Sequence, residues 1–207
     1  MVNMKKILLL SCALVLLNGL TVNAEESVST SDIDESVESI EETEYKDPFD
    51  PESYETIFEE DVYKIGTDMP AGEYKVFSVE DHASYTLTND ARGEDYVAYM
   101  SFDTFSYVSV EDDQFLELKN SFAIPVEDAD PVVIENDIID PGVYRIGIDI
   151  DPGEYKVTAT DEHASYTITG DANMNDYIDY SSIEKSNYIE VLEGEYLELK
   201  NAEINLN

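Results

Sequence analysis

Residues 62–120 recur at 143–201, each partner lying 81 positions further on without a gap, from Tyr63/Tyr144 through Lys119/Lys200. Val-Tyr-Lys-Ile-Gly at 62–66 becomes Val-Tyr-Arg-Ile-Gly at 143–147. Gly-Glu-Tyr-Lys-Val stands at 72–76 and again at 153–157, and His-Ala-Ser-Tyr-Thr at 82–86 and 163–167. The chain therefore carries two copies of one module, at 62–126 and 143–207. At 65 residues, each copy is near the lower limit for a lone core without staples. The copies either pack together or stay separate on the acidic linker 127–142; the sequence leaves both open.

Each copy reads as β. Short Tyr, Val, Ile and Thr runs alternate with Gly, Pro, Asp and Asn punctuation. Strands are expected near 62–65, 73–79, 84–88, 96–102, 107–110 and 115–119, with a last short one at 122–126, and again 81 residues on. Met69-Pro70-Ala71-Gly72 and Ile150-Asp151-Pro152-Gly153 read as turns, with Gly72 and Gly153 supplying a positive φ. Many short strands with no helical period predict an all-β fold, two tandem small β-sandwich or barrel-like modules.

The duplication also suggests which side chains face water. A position charged in one copy is expected to be exposed in both. Ala98 corresponds to Asp179, so Ala98 is expected outward, with Val97 and Tyr99 inward. Ser109 corresponds to Glu190, which puts Val108 and Val110 inward. Leu116 and Leu118 also fall inward. A hairpin pairing Val108 with Leu118 and Val110 with Leu116 fits those faces. Its odd loop is Asp112-Asp113-Gln114, or Glu193-Gly194-Glu195 in the second copy, with a left-handed residue at the centre.

On that register Tyr107, Phe115 and Lys119 point outward, as do Tyr188, Tyr196 and Lys200. Tyr96 and Tyr177 share the outward parity of Ala98 and Asp179. Such a stripe of aromatics has two readings. It stacks on sugar rings or another β-module, or it is buried against a second sheet or the sister module. The candidate ligand-binding residues are therefore Tyr107, Phe115, Lys119, Tyr188, Tyr196 and Lys200.

The first residues set the compartment. Lys5 and Lys6 precede an apolar run from Ile7 to Leu17, and Val22-Asn23-Ala24 ends the segment with small residues. That is the pattern of a signal peptide, 1–24, with cleavage expected after Ala24. The run falls short of the ~20 apolar residues a membrane span needs. Leu9-Leu10-Ser11-Cys12 faintly resembles a lipoprotein box, but the apolar run continues past Cys12, which reads as an ordinary residue of that run. A chain cut after Ala24 has no cysteine, so its stability rests on its cores. No apolar span or sorting-type tail precedes Asn207, so release from the cell, with at most loose cell-wall association, is expected.

Removing Lys5 and Lys6 leaves 9 basic residues against 48 acidic ones, a net charge of −39. Phosphate backbones and anionic membrane surfaces repel such a chain, which argues against nucleic acid or bilayer partners. Cations, basic proteins and neutral sugars remain. The charge is densest in 25–61, where Lys46 is the only basic residue and apolar residues are sparse. This segment reads as an acidic, disordered linker.

Catalytic material is thin. His82 and His163 occupy equivalent turns, two residues before Ser84 and Ser165, and read as turn residues rather than a hydrolytic pair. Asp171-Ala172-Asn173-Met174-Asn175-Asp176 has the alternating oxygens that open a calcium loop. Its sixth place lacks glycine, its twelfth is Ser182, and the first copy has Arg92 at a ligand position. An EF-hand is excluded. No metal or cofactor is expected, and a loose calcium site stays as an alternative.

The run Val-Tyr-x-Ile-Gly-x-Asp-x-x-x-Gly-Glu-Tyr-x-Val, at 62–76 and 143–157, resembles a β-module of exported Gram-positive bacterial proteins. There it follows a signal peptide and a low-complexity linker, singly or in tandem. The resemblance covers both repeats. It implies a non-catalytic role at the cell envelope or outside the cell, and carries over no functional residue. The expected function is a non-enzymatic secreted or cell-surface interaction module for a cell-wall or host glycan or a surface protein. The alternatives are a structural spacer and a calcium-stabilised module.

Overall fold

A computed structural model describes residues 49–80 and 82–207. The expected signal segment, Cys12 and most of the acidic stretch lie outside them. All the long elements are antiparallel strands. The first copy holds β1 (Val62–Lys64), β2 (Gly72–Ser78), β3 (Ala83–Thr88), β4 (Tyr96–Phe102), β5 (Phe105–Val110), β6 (Phe115–Lys119) and β7 (Ser121–Pro125). The next strand, β8 (Ile138–Ile139), falls within the expected 127–142 linker. It is followed by β9 (Gly142–Arg145), β10 (Gly153–Ala159), β11 (Ser165–Thr169) and β12 (Tyr177–Ser182). The chain closes with β13 (Ser186–Val191), β14 (Tyr196–Lys200) and β15 (Ala202–Asn205).

Each copy is a two-sheet sandwich. In the first, a sheet of order β1-β6-β3-β4 faces one of order β5-β2-β7. In the second the orders are β9-β14-β11-β12 and β13-β10-β15-β8. Val76, Val108, Leu87, Leu116 and Leu118 fill the first core, and Val157, Ile189, Ile168, Leu197 and Leu199 the second. The buried residues of both copies form one contiguous cluster.

The expected hairpin of Val108 with Leu118 does not form. Strand β5 pairs with β2, Tyr74 opposite Val108, while β6 lies between β1 and β3. The 111–114 connection crosses from one sheet to the other. Val108 and Leu118 are both inward, as read, but they belong to opposite layers of the sandwich. The central loop residues are left-handed, Asp113 at φ 70° and Gly194 at φ 87°.

Two further expectations fail locally. Ala98 is buried and Tyr99 exposed, the reverse of the inferred facing. Asp179 is exposed, as expected, but 177–180 of the edge strand β12 are all exposed, so its exposure carries no facing over to Ala98; its carboxylate also accepts a hydrogen bond from the Tyr166 hydroxyl at 2.7 Å. The glycine expectation holds in one copy only, and Gly72 and Gly153 both begin strands. Gly72 has the expected positive φ, 157°, whereas Gly153 has none. The turn preceding each is closed by Gly66 and Gly147, at φ 82° and 88°. A Cβ at Gly66 would stand 2.8 Å from Asp112 Oδ1.

Both acidic segments are partly built into the fold. Phe49 meets the Phe77 ring edge-on at 5.6 Å, and Tyr54 stacks on the same ring at 6.1 Å. Phe58 bridges Ala123 by two backbone hydrogen bonds. Its equivalent, 81 residues on, is Ile139 of β8, paired with Ile204. The repeat therefore begins about five residues earlier than the sequence match suggested. Divergence of Phe58 to Ile139 hid it, yet the backbone pairing is kept. The same holds for the Tyr63 hydroxyl on Glu59 O and the Tyr144 hydroxyl on Asp140 O.

Candidate functional site

The outer face of β2 and β5 carries Glu73, Lys75 and Tyr107. Strand alternation sets them outward from the first module, where a free sheet face would meet water. Here it meets the second module. Lys75 is 1% exposed, and its ammonium sits 3.0 Å from Asp149 Oδ1. The Tyr107 hydroxyl donates to Asp149 Oδ2 at 2.6 Å. Backbone N–H groups of Arg145 and Val132 complete the carboxylate's partners, at 2.9 and 3.3 Å. The Lys75 ammonium also lies 4.9 Å from the Phe105 ring centre and 5.2 Å from that of Tyr107.

A ring of contacts surrounds this cluster. Glu73 accepts from the Tyr196 hydroxyl at 2.7 Å and from Arg145 at 3.3 Å. Tyr107 meets Tyr196 edge-on at 5.7 Å, and Phe105 meets Tyr144 at 5.2 Å. Burial pushes the Lys75 ammonium below the usual lysine range, and the Asp149 carboxylate works against that shift. Burial first, and then Asp149, pushes the Tyr107 phenol far up. A buried pair this well surrounded leaves no polar group of Asp149 idle, the condition under which such pairs are tolerated.

The segment 171–176, read as a calcium-like loop, is a clamp between the modules. Asn173 donates to Ser109 O and accepts from Ser109 N, both at 2.9 Å, so its amide closes the free edge of β5. Asn175 donates to Val97 O at 3.4 Å. The Asp171 carboxylate accepts the backbone N–H groups of Asn173, Asn175 and Asp176. Asp90 does the same for Arg92, Glu94 and Asp95, and these N–H groups hold it below the usual carboxylate range.

The six candidate ligand residues are not one stripe. Tyr107 and Tyr196 are brought together, but at 1% and 5% exposure they are sealed between the modules. Tyr188, the repeat partner of Tyr107, is 75% exposed. Phe115, the partner of Tyr196, is half-buried beside Lys64 and Thr88. Lys119 and Lys200 are exposed and paired with Glu117 and Glu198, at 3.0 and 2.7 Å. The expectation of a continuous exposed patch at Tyr107, Phe115, Tyr188 and Tyr196 is thus overturned.

Aromatics do converge elsewhere. The edge strand β4 stands against the outer face of the β9-β14-β11-β12 sheet and leaves a cleft of about 500 Å³. Tyr96, Tyr99 and Tyr177 line it, all more than half exposed, together with Lys200 and Asn175. Glu198 lines the same cleft, buried, and accepts from the Thr167 hydroxyl at 3.1 Å. A second cleft of about 800 Å³ shares Glu198 and Lys200 and brings in His163 with Asp103 and Asp140. His163 is a left-handed turn residue, φ 62°, exposed, as is His82 at φ 64°.

Sequence reasoning missed Lys75, Asp149 and the Asn173 clamp. Divergence at 92/173, Arg against Asn, was the available signal for the clamp. Lys75 and Lys156 are identical, so the signal for the buried one lay in its neighbours, Phe77 and Phe105, which are Thr158 and Ser186 in the second copy. No family model and no curated protein matches this chain.

Proposed function

We infer that this is a non-enzymatic interaction protein, exported from the cell, which holds a neutral polar polymer, a glycan, in the cleft along β4. The observation that carries this reading is three exposed tyrosines, Tyr96, Tyr99 and Tyr177, on one cleft between two sandwiches. Tyrosine rings offer flat apolar faces to sugar C–H groups and hydroxyls to sugar oxygens. Glu198, Lys200 and Asn175 supply the few polar groups that fix a ligand's orientation. The net charge of −37 on the whole chain disfavours polyanions and leaves uncharged glycans acceptable.

The test is retention on insoluble cell-wall glycan, followed by titration with soluble fragments. Tyr99→Ala with Tyr177→Ala should weaken binding by tenfold or more, about 1–3 kcal/mol of lost stacking per ring by analogy with base stacking. Tyr180→Ala, exposed outside this cleft, serves as the control. Binding that ignores the first pair of substitutions, or no binding to any glycan, sinks the reading.

A structural spacer is the second reading. The buried Lys75–Asp149 lock favours it, since it joins the copies through charge and aromatic contact rather than leaving them on a tether. The calcium reading is weaker, because Asp171 is already occupied by backbone donors. An unchanged melting temperature on adding calcium removes it.

A further inference from the structure

The contact between the modules is heterologous, since different faces of the repeat meet. The first module contributes the outer face of β2 and β5. The second contributes the turn around Asp149 with Arg145 and Tyr196. Because the chain is duplicated, each face exists twice. The second module's copy of the first face is exposed at Glu154, Lys156 and Tyr188. The first module's copy of the other face is exposed at Asp68, with Lys64 and Phe115 half-buried beside it.

We propose that these two unused faces bind each other between molecules, so that the protein assembles head to tail with further copies of itself. The repeat offset maps every contact of the internal interface onto a candidate contact between chains. Lys75 and Tyr107 on Asp149 become Lys156 and Tyr188 on Asp68. Asp68 already has the geometry of Asp149: its Oδ2 accepts the Lys64 N–H at 2.9 Å, as Asp149 accepts that of Arg145 at 2.9 Å. Glu73 on Arg145 becomes Glu154 on Lys64, which among the described residues pairs with the exposed Asp113 at 3.3 Å. Tyr107 on Tyr196 becomes Tyr188 on Phe115, an aromatic pair in both cases.

The substituted positions stay complementary. Thr104, which donates to Pro141 O at 3.1 Å, is replaced by Lys185, and Pro141 by Glu60. Ser109 and Asn173, joined by two hydrogen bonds, are replaced by Glu190 and Arg92. Opposite charges face each other at each of these exchanges, in a chain where 48 acidic residues outnumber 11 basic ones. Three of those scarce basic residues, Lys64, Lys156 and Arg92, and a fourth, Lys185, fall on the two faces.

The intermolecular contact is the weaker of the two. Phe77 and Phe105, which cage Lys75, are Thr158 and Ser186 around Lys156. Val132, an N–H donor to Asp149, corresponds to Pro51, which has none. A heterologous contact whose rotation does not close a ring grows into an open chain of molecules.

Sedimentation of the chain beginning at Glu25, at an ionic strength of about 0.15 M to screen its net charge, reads this directly. The average mass should rise with concentration and pass beyond a dimer. Tyr188→Ala with Lys156→Ala, and separately Asp68→Ala, should each return the protein to a monomer with an unchanged fold. Mixed together, the two variants retain one working face each and should form a dimer that grows no further. A monomer at all concentrations up to about 1 mM overturns the proposal. So does a wild-type assembly that stops at a dimer, or one that survives both variants. Association that appears only after removal of residues 25–48 would make that acidic segment the occupant and also overturns it. Glycan binding at Tyr99 and Tyr177 is untouched by these substitutions, so the two readings fail separately.

Discussion

Lys75 of the first module ends 3.0 Å from Asp149 of the second, with side chains 2% and 0% exposed. Their repeat counterparts, Lys156 and Asp68, are both exposed. One sequence pattern thus occupies two environments in one chain, and each copy is the other's control.

Asp149→Ala should destabilise the protein by about 3–5 kcal/mol, because it strands a buried ammonium. Asp68→Ala, in dilute solution, should cost about 1 kcal/mol or less. Urea unfolding of both variants checks the asymmetry. Equal losses would mean that the buried pair contributes no more than a surface turn.

The buried tyrosines differ in the same instructive way. Tyr166 donates to Asp179. The Tyr85 hydroxyl, its counterpart, has no partner among the described residues, since Ala98 stands where Asp179 would. Ser106 lies near it, but its hydroxyl turns to the Tyr107 carbonyl at 3.5 Å. Tyr166→Phe should cost about 1 kcal/mol, and Tyr85→Phe should be neutral or stabilising. Thermal melts of the two variants decide it.

Asn173→Ala removes both hydrogen bonds on the edge of β5 and should cost about 1–3 kcal/mol. Arg92→Ala, at the equivalent exposed position, should leave the melting temperature of the monomer unchanged. If Asn173→Ala is equally silent, the clamp is dispensable.

Alkaline pH should unfold the protein. Burial raises the phenols of Tyr74 and Tyr166 to about 12 and pushes those of Tyr85, Tyr107, Tyr144 and Tyr196 higher still. A group whose folded pKa lies above its unfolded value stabilises the fold below the unfolded pKa, near 10. That contribution is lost as pH rises through the folded value. Lys75, lowered by burial, has the opposite sign and favours folding as pH rises toward the usual lysine value. It is one group against six. The melting temperature should therefore fall steeply above about pH 10, with phenolate absorbance rising as the fold is lost.

The strands were legible in the sequence because their signals are local. Gly, Asn and Pro mark the turns, and alternation marks the faces, so seven strands per copy fall close to where they were expected. Pairing was not legible. Val108 and Leu118 share inward parity, and that parity is the same for partners in one ladder and for residues facing across a sandwich. Asp179 misled because it is exposed on an edge strand whose residues 177–180 are all exposed, whereas its equivalent Ala98 is buried. Tyr107 was placed outward from its module, and it is outward, but the sister module covers it. Tyr107 and Tyr188 are the same residue type, and what separates them is their surroundings: Phe77, Phe105 and Ser109 around the covered one are Thr158, Ser186 and Glu190 around the exposed one.

Native-state hydrogen exchange on Asp149→Ala tests most directly that the two modules are one cooperative unit locked at Lys75. The amides to follow are those of Leu87 in β3 and Ile168 in β11, both buried residues of internal strands. In the wild-type protein the two should open with the same free energy, and in the variant both should fall together by about 3–5 kcal/mol. Loss of protection at Ile168 alone, with Leu87 unchanged, would show two modules that fold independently and would contradict the account.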